Sequence, residues 1–170
     1  IIPFLINLST LEDKIIDFLN TEILIISISE KNVSLFKKLI VKIEASKVKK
    51  VLLISSTSVY ENLNQVVTEK TPTKSCSLSQ IENLFKTNTH FKTTIIRFGG
   101  LFGYDRKPIN FITKKKVIES PEGFVNLIHR DDCIQIIEQN SWNETFNACT
   151  DSHPTRREFY TNEAKEQGKK

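Results

Sequence analysis

An α/β fold built on a doubly wound parallel sheet is the class that this sequence predicts. Three observations lead there. Short, continuously apolar runs, at 23–28 (ILIISI), 51–54 (VLLI) and 93–98 (TTIIRF), alternate with stretches whose apolar residues recur at helical spacing. Strands of that kind suit a sheet covered on both faces, and right-handed crossovers between them wind the helices onto both sides. Each run also ends in polar or glycine residues (Ser27 and Ser29; Ser55, Ser56, Thr57 and Ser58; Gly99 and Gly100). In open α/β sheets, ligands bind beyond the carboxyl ends of the strands.

The elements follow in order. Residues 1–8 are apolar and predict a strand, and Ser9-x-x-Glu12 has the form of a capping box opening a helix through Leu19. The run 23–28 is the next strand. Val33, Phe36, Leu39, Ile40 and Ile43 then mark one face of a helix over 32–46. The strand 51–54 follows, and after a polar segment Ser77-x-x-Gln80 opens a helix through about Phe85. Residues 93–98 form a further strand. Residues 101–124 read as irregular, 125–128 as a short strand, and Asp131 and Asp132 suit a helix start ahead of 133–139. A last strand (145–149) and helix (155–166) complete the chain.

Composition bounds the function. The 170 residues suffice for one domain with a sizeable core, and 39% hydrophobic and 26% charged residues are ordinary for a globular chain. No apolar run is long enough for a membrane helix, so no membrane partner is expected. The net charge of +4 comes from dispersed lysines, with Lys114-Lys115-Lys116 the one tight run, best explained as a solvated loop; a nucleic-acid partner is not expected. Three scattered cysteines (Cys76, Cys133, Cys149) make neither a disulfide framework nor a zinc pattern, and His90, His129 and His153 lack ligand spacing, so no metal is expected and the setting is read as cytoplasmic. The chain has no methionine and starts in strand-like residues, which predicts that it is not a whole gene product.

The strand ends carry more. The serine strand with Ser58-Val59-Tyr60, the segment IIRFGGLFGYDR (95–106), VNLIHRDDC (125–133), and Thr145-Phe-Asn-Ala-Cys with HPTRREFY (153–160) occur in the order found in the extended short-chain dehydrogenase/reductases. The chain resembles their NAD-dependent epimerase/dehydratase group, and within it an atypical, small branch. The resemblance covers nearly the whole chain. It implies a Rossmann-like fold lacking its first strand-helix-strand, with residues 1–170 as one NAD(P)-binding domain in which 101–130 and 150–170 form a substrate-side lobe. It implies NAD or NADP as cofactor, a sugar-like or nucleotide-linked small-molecule substrate, and a homodimer as a conceivable assembly.

By the same resemblance Ser56 is the catalytic candidate, orienting a substrate oxygen. Ser27, Ser29, Ser55, Phe98 and Gly99 are cofactor-side candidates, and Thr57, Arg106 and His129 substrate-side ones. Each has a plainer alternative. Ser56 is equally a strand-end serine satisfying backbone groups, Thr57 a turn residue, Arg106 a surface salt-bridge partner, and His129 part of a helix cap beside Asp131 and Asp132.

Two features depart from the family. No glycine-rich turn precedes a strand-to-helix junction, and Gly99-Gly100-x-x-Gly103 leads into Tyr-Asp-Arg-Lys-Pro rather than a helix. The Tyr-x-x-x-Lys pair is also missing, since residues 61–92 hold no tyrosine. Positioned acid–base groups supply about 10²–10⁴-fold in rate, so enzyme status stays open on sequence alone. A non-catalytic NAD(P)-binding regulatory module on the same scaffold is the alternative function, and an unrelated doubly wound protein of flavodoxin type a more distant one.

Overall fold

The structure is a computed structural model that describes residues 2–11, 13–61, 65–110, 118–139, 142–166 and 168. Glu12 of the expected capping box and the Lys114-Lys115-Lys116 run lie outside the described residues. The chain divides into two compact units. The first comprises Ile1–Glu61, Glu69–Arg97 and Ser141–Phe146, the second Asn62–Thr68, Phe98–Asn140 and Asn147–Lys170.

The main sheet has the order β1-β2-β3-β6, with β1 at Ile23–Ile26, β2 at Lys50–Ser56, β3 at Lys92–Phe98 and β6 at Thr145–Ala148. Strands β1 and β2 run parallel, Leu24 opposite Val51 and Ile26 opposite Leu53. Among the described residues the first unit has the helices α1 (Lys14–Phe18), α2 (Val33–Glu44) and α3 (Ser77–Lys86). The predicted parallel α/β class is the class observed.

Helix α2 forms where the sequence places it. Asn32 caps it, its side-chain oxygen accepting from Ser34 N at 3.0 Å, and Phe36, Leu39, Ile40 and Ile43 turn one stripe into the core. Such a cap is worth about 1 kcal/mol, so burial of the stripe is what holds the helix in place. Around it one apolar cluster joins Ile15, Leu19, Leu24, Ile26, Val51, Leu53, Ile81, Phe85 and Ile95. Phe85 is its hinge-pin, edge-on to Phe36 with centroids 6.0 Å apart and tilted against Phe91 at 6.2 Å.

The first twenty residues differ from expectation. Residues 2–7 form no strand, and Ile2 and Leu5 are exposed. Among the described residues no strand pairs with them, and an apolar run without a ladder partner does not hold an extended register. Ser9 does not cap a helix either. Its amide and hydroxyl both donate to Asn7 Oδ1, at 2.9 and 2.7 Å, closing a local turn, and α1 starts only at Lys14 behind Asp13. Strand β1 stops at Ile26, two residues early. At the edge of the sheet formed by the described residues, it buries Leu24 and Ile26 and leaves Ile23 and Ile25 exposed. Helix α3 is capped by Cys76, one residue before the predicted start, with Ser79 Oγ accepting from Cys76 N at 3.1 Å.

In the second unit, β4 (Gly100–Phe102) and β5 (Leu127–His129) form a two-stranded parallel ladder, Gly100 opposite Leu127 and Phe102 opposite His129. The stretch read as irregular therefore begins with a strand, and the short strand expected at 125–128 is shifted toward His129. Helix α4 (Arg130–Glu138) buries Cys133, and α5 (Arg156–Glu166) presents no buried residue. Exposed Arg157 pairs with Glu122 at 2.6 Å, whereas Arg156 donates to the Glu119 carbonyl at 3.0 Å. No helix among the described residues is long and apolar enough to cross a membrane.

Candidate functional site

Strand β2 carries the hydroxyl cluster to the carboxyl edge of the sheet. Because β1 is parallel to β2 and adjacent to it, the exposed Ser27 and Ser29 leave the same edge from the neighbouring strand. Ser27, Ser29, Ser56 and Thr57 are thus brought to one edge of the sheet in the first unit. Ser56 remains extended (φ −141°, ψ 145°) and its Oγ accepts from Ser58 N at 3.1 Å, capping the tight 3₁₀ turn Thr57–Val59. A hydroxyl that accepts in this way still carries its own proton. Ser56 is half-buried, so that proton is presented at the strand end, and Thr57 beside it is half-buried as well.

Ser55 points the other way. It is 7% exposed, and its hydroxyl donates to Glu82 Oε1 at 2.5 Å. Glu82, on α3, is in turn gripped by Arg97 of β3 through Nε (3.0 Å to Oε1, 3.2 Å to Oε2) and Nη2 (2.6 Å to Oε2). The remaining arm of Arg97 donates from Nη1 to Tyr60 Oη at 2.6 Å, and its guanidinium carbon lies 5.1 Å from the Tyr60 ring centroid. Burial pulls the Arg97 pKa down, but the hydrogen bond and charge of Glu82, then Tyr60, more than reverse this and raise it. A charge pair closed off from water in this way locks α3, β2 and β3 together and fixes both sides of the Ser56 turn, Ser55 before it and Tyr60 after it.

Sequence reasoning missed this network, although signals existed. An acid between Ile81 and Phe85 on the buried side of a helix, and an arginine inside an apolar strand, are each costly unless paired. It also explains why Tyr60 is no substitute for the absent tyrosine pair, since its ring is buried and its hydroxyl is engaged.

The other candidates belong to the second unit. Phe98 and Gly99 are buried, and a Cβ on Gly99 would stand 3.0 Å from the Asn126 carbonyl oxygen. Arg106 is exposed and donates from Nε to the Leu101 carbonyl at 2.8 Å, which folds it onto its own loop. His129 caps α4, its Nδ1 accepting from Asp131 N at 3.3 Å and standing 3.6 Å from Asp131 Oδ2. Its ring meets Phe102 edge-on at 5.2 Å, and Gly103, at φ 128°, leaves room for it: a Cβ there would lie 2.6 Å from Nε2. Beside it, Tyr104 holds φ 53°, donates to Asp131 at 2.9 Å, and lies under the Arg130 guanidinium at 3.7 Å. The cap of His129 beside Asp131 is the plainer reading that the sequence offered, whereas the parts of Tyr104 and Arg130 escaped it, because a left-handed backbone at a tyrosine leaves no local signature.

Among the described residues no group of three or more His, Cys, Asp or Glu side chains is disposed to hold a metal ion. Cys76 and Cys133 are free thiols. The side chains of Ser27, Ser29, Ser56 and Thr57 at the carboxyl edge of β1 and β2 are neutral hydroxyls, suited to the ribose hydroxyls and the carboxamide of a nucleotide. The five glycines stand at 99, 100, 103, 123 and 168, and among the described residues none opens a helix behind a strand.

No protein-family model matches the chain. A curated relative is YeeZ of Escherichia coli (strain K12), 29% identical over 125 residues that make up 68% of this chain and 45% of YeeZ. Among solved structures, MoeE5 in complex with UDP-glucose and NAD superposes with a TM-score of 0.77 at 16% identity, covering 95% of this chain and 67% of MoeE5. The UDP-glucuronic acid 4-epimerase of Bacillus cereus, in complex with UDP-glucuronic acid and NAD, gives 0.68 at 18% identity over 82% of this chain and 52% of its own. The chain spans less than half the length of YeeZ. It has the Rossmann-like α/β fold of these solved structures.

Proposed function

We propose that the chain functions as an NAD(P)-dependent epimerase/dehydratase-like oxidoreductase on a sugar-like or nucleotide-linked substrate, with its reacting centre at the carboxyl edge of β2. The observation that carries this reading is Ser56, a half-buried hydroxyl held at a strand end by its own turn and flanked by two anchors of a buried ion-pair network. In this reading Ser56 donates its proton to a substrate carbonyl or hydroxyl oxygen and orients it, and Thr57 lines the same edge. Ser27 and Ser29 contact the cofactor, either NAD or NADP, whose nicotinamide supplies the hydride chemistry when bound. The likeness in fold to structures holding NAD and UDP-sugars supports the cofactor and substrate class.

The test is absorbance at the reduced-nicotinamide band with NAD or NADP and a panel of UDP-sugars. Turnover that falls about 10²-fold or more in Ser56→Ala supports the proposal. Tight cofactor binding with no absorbance change across the panel, unaltered by Ser56→Ala, overturns it in favour of a non-catalytic NAD(P)-binding module. The absence of a tyrosine from α3 favours that second reading.

A further inference from the structure

Just beyond β6 the chain places a thiol and an imidazole face to face. Cys149 Sγ lies 4.0 Å from His153 Nε2, and the other ring nitrogen, Nδ1, lies 3.1 Å from the Val125 carbonyl oxygen. A carbonyl only accepts, so Nδ1 carries the proton and donates it to Val125. That fixes the tautomer and turns the Nε2 lone pair toward the sulfur. Nucleophile, base and a third group that orients the base are the parts of an activated thiol, and such contacts are commonly loose before a reactant arrives.

The loop holding the pair is fastened at both ends to the same neighbouring segment. Thr150 N donates to the Leu127 carbonyl at 2.9 Å, Val125 N donates to the Pro154 carbonyl at 2.9 Å, and Phe124 bridges Thr155. Cys149 is half-buried and His153 exposed, so a small reactant can reach the sulfur. The other two cysteines differ. Cys133 is 6% exposed, and burial with the neighbouring Asp132 pushes its pKa up. Cys76 is set by α3 and Ser79, without a histidine.

We propose that Cys149 is a nucleophilic thiol activated by His153 and a site of thiol–disulfide exchange with small disulfides. Nε2 of His153 takes the thiol proton. The Cys149 thiolate attacks one sulfur of a disulfide RS–SR, a Cys149–S–S–R bond forms as the RS–SR bond breaks, and the departing RS⁻ takes the proton from the imidazolium. One disulfide replaces another, so no further oxidant is needed. The step is independent of the proposed nucleotide chemistry.

The test uses oxidised glutathione as the disulfide, with each cysteine's mixed disulfide quantified over time by peptide mass spectrometry. The informative variant is His153→Asn. Its side-chain amide can still donate to Val125 from about the position of Nδ1, keeping the loop fastened, but it has no base at Nε2. Thiolate gained is partly offset by lower intrinsic nucleophilicity, so we expect a roughly three- to tenfold slower exchange at Cys149 in the variant, with Cys76 unchanged as the control for folding. Equal Cys149 rates in the two proteins, or a Cys149 as slow as Cys133, would overturn the assignment. A slowing matched at Cys76 would overturn it too, since His153 would then be acting through the fold.

Discussion

Replacing Glu82 by Gln should cost the first unit a large part of its stability. The side chains of Glu82 and Arg97 are 5% and 8% exposed, so the loss of one charge leaves the other buried without a counter-ion. Breaking a buried pair from one side costs about 3–5 kcal/mol. Gln keeps the shape and one acceptor for Ser55, so we take the lower figure, about 3 kcal/mol. With a urea m-value of about 2 kcal/mol/M, the midpoint falls by roughly 1.5 M. Trp142, the single tryptophan, reports the transition from inside that unit, where Lys50 lies 5.0 Å over its ring. The double variant Glu82→Leu with Arg97→Met should recover most of the loss, because two well-packed apolar chains replace two charges that had to be desolvated. A midpoint shift in Glu82→Gln equivalent to less than about 1 kcal/mol, the value of an exposed pair, would refute the argument that this network is closed off from water.

Two further outcomes follow from other parts of the molecule. Gly103→Ala should destabilise the second unit by about 1–3 kcal/mol, because the residue holds φ 128° and the added Cβ would stand 2.6 Å from His129 Nε2; urea unfolding followed by circular dichroism checks this, and a neutral outcome would mean that the His129 ring is not held there. Cys76 should be alkylated at lower pH than an ordinary thiol. Burial raises its pKa, but hydrogen bonds from Ser79 and Leu78 and the charge of Lys74 outweigh this and lower it. Since the folded form releases its proton first, the stability that Cys76 contributes is fully present above the unfolded thiol's pKa and is lost as pH falls through the folded value. Cys133 has the opposite sign, its contribution being lost as pH rises through its raised folded value. Residue-resolved alkylation separates the two, and identical pH midpoints for both would contradict the assignment.

Much of the fold was legible because it rests on periodicity. Phe36, Leu39, Ile40 and Ile43 specify α2, and the apolar run before Ser55 specifies β2 with its polar end. The errors fall where a partner decides. Residues 2–7 look like a strand but have no ladder among the described residues, and Ser9 looks like a cap but bonds back to Asn7. At the candidate site, Ser56 was found through its resemblance and its position after an apolar strand. Glu82 and Arg97 were not, because what identifies them is a contact across 15 residues of chain. Cys149 and His153 lie four residues apart, yet only the carbonyl of Val125 makes them a pair. Composition and spacing record which groups are present; the tautomer and orientation that give a group its chemistry are set by residues distant in sequence.

The reading of the β2 edge as a nucleotide site is tested most directly by amide-resolved NMR of the chain titrated with NAD, then with a UDP-sugar. Saturable shifts confined to residues around Ser27, Ser29, Ser56 and Thr57, reduced in Ser56→Ala, are the predicted result. Shifts that are absent at saturating ligand, or that map elsewhere while this edge stays silent, would contradict it.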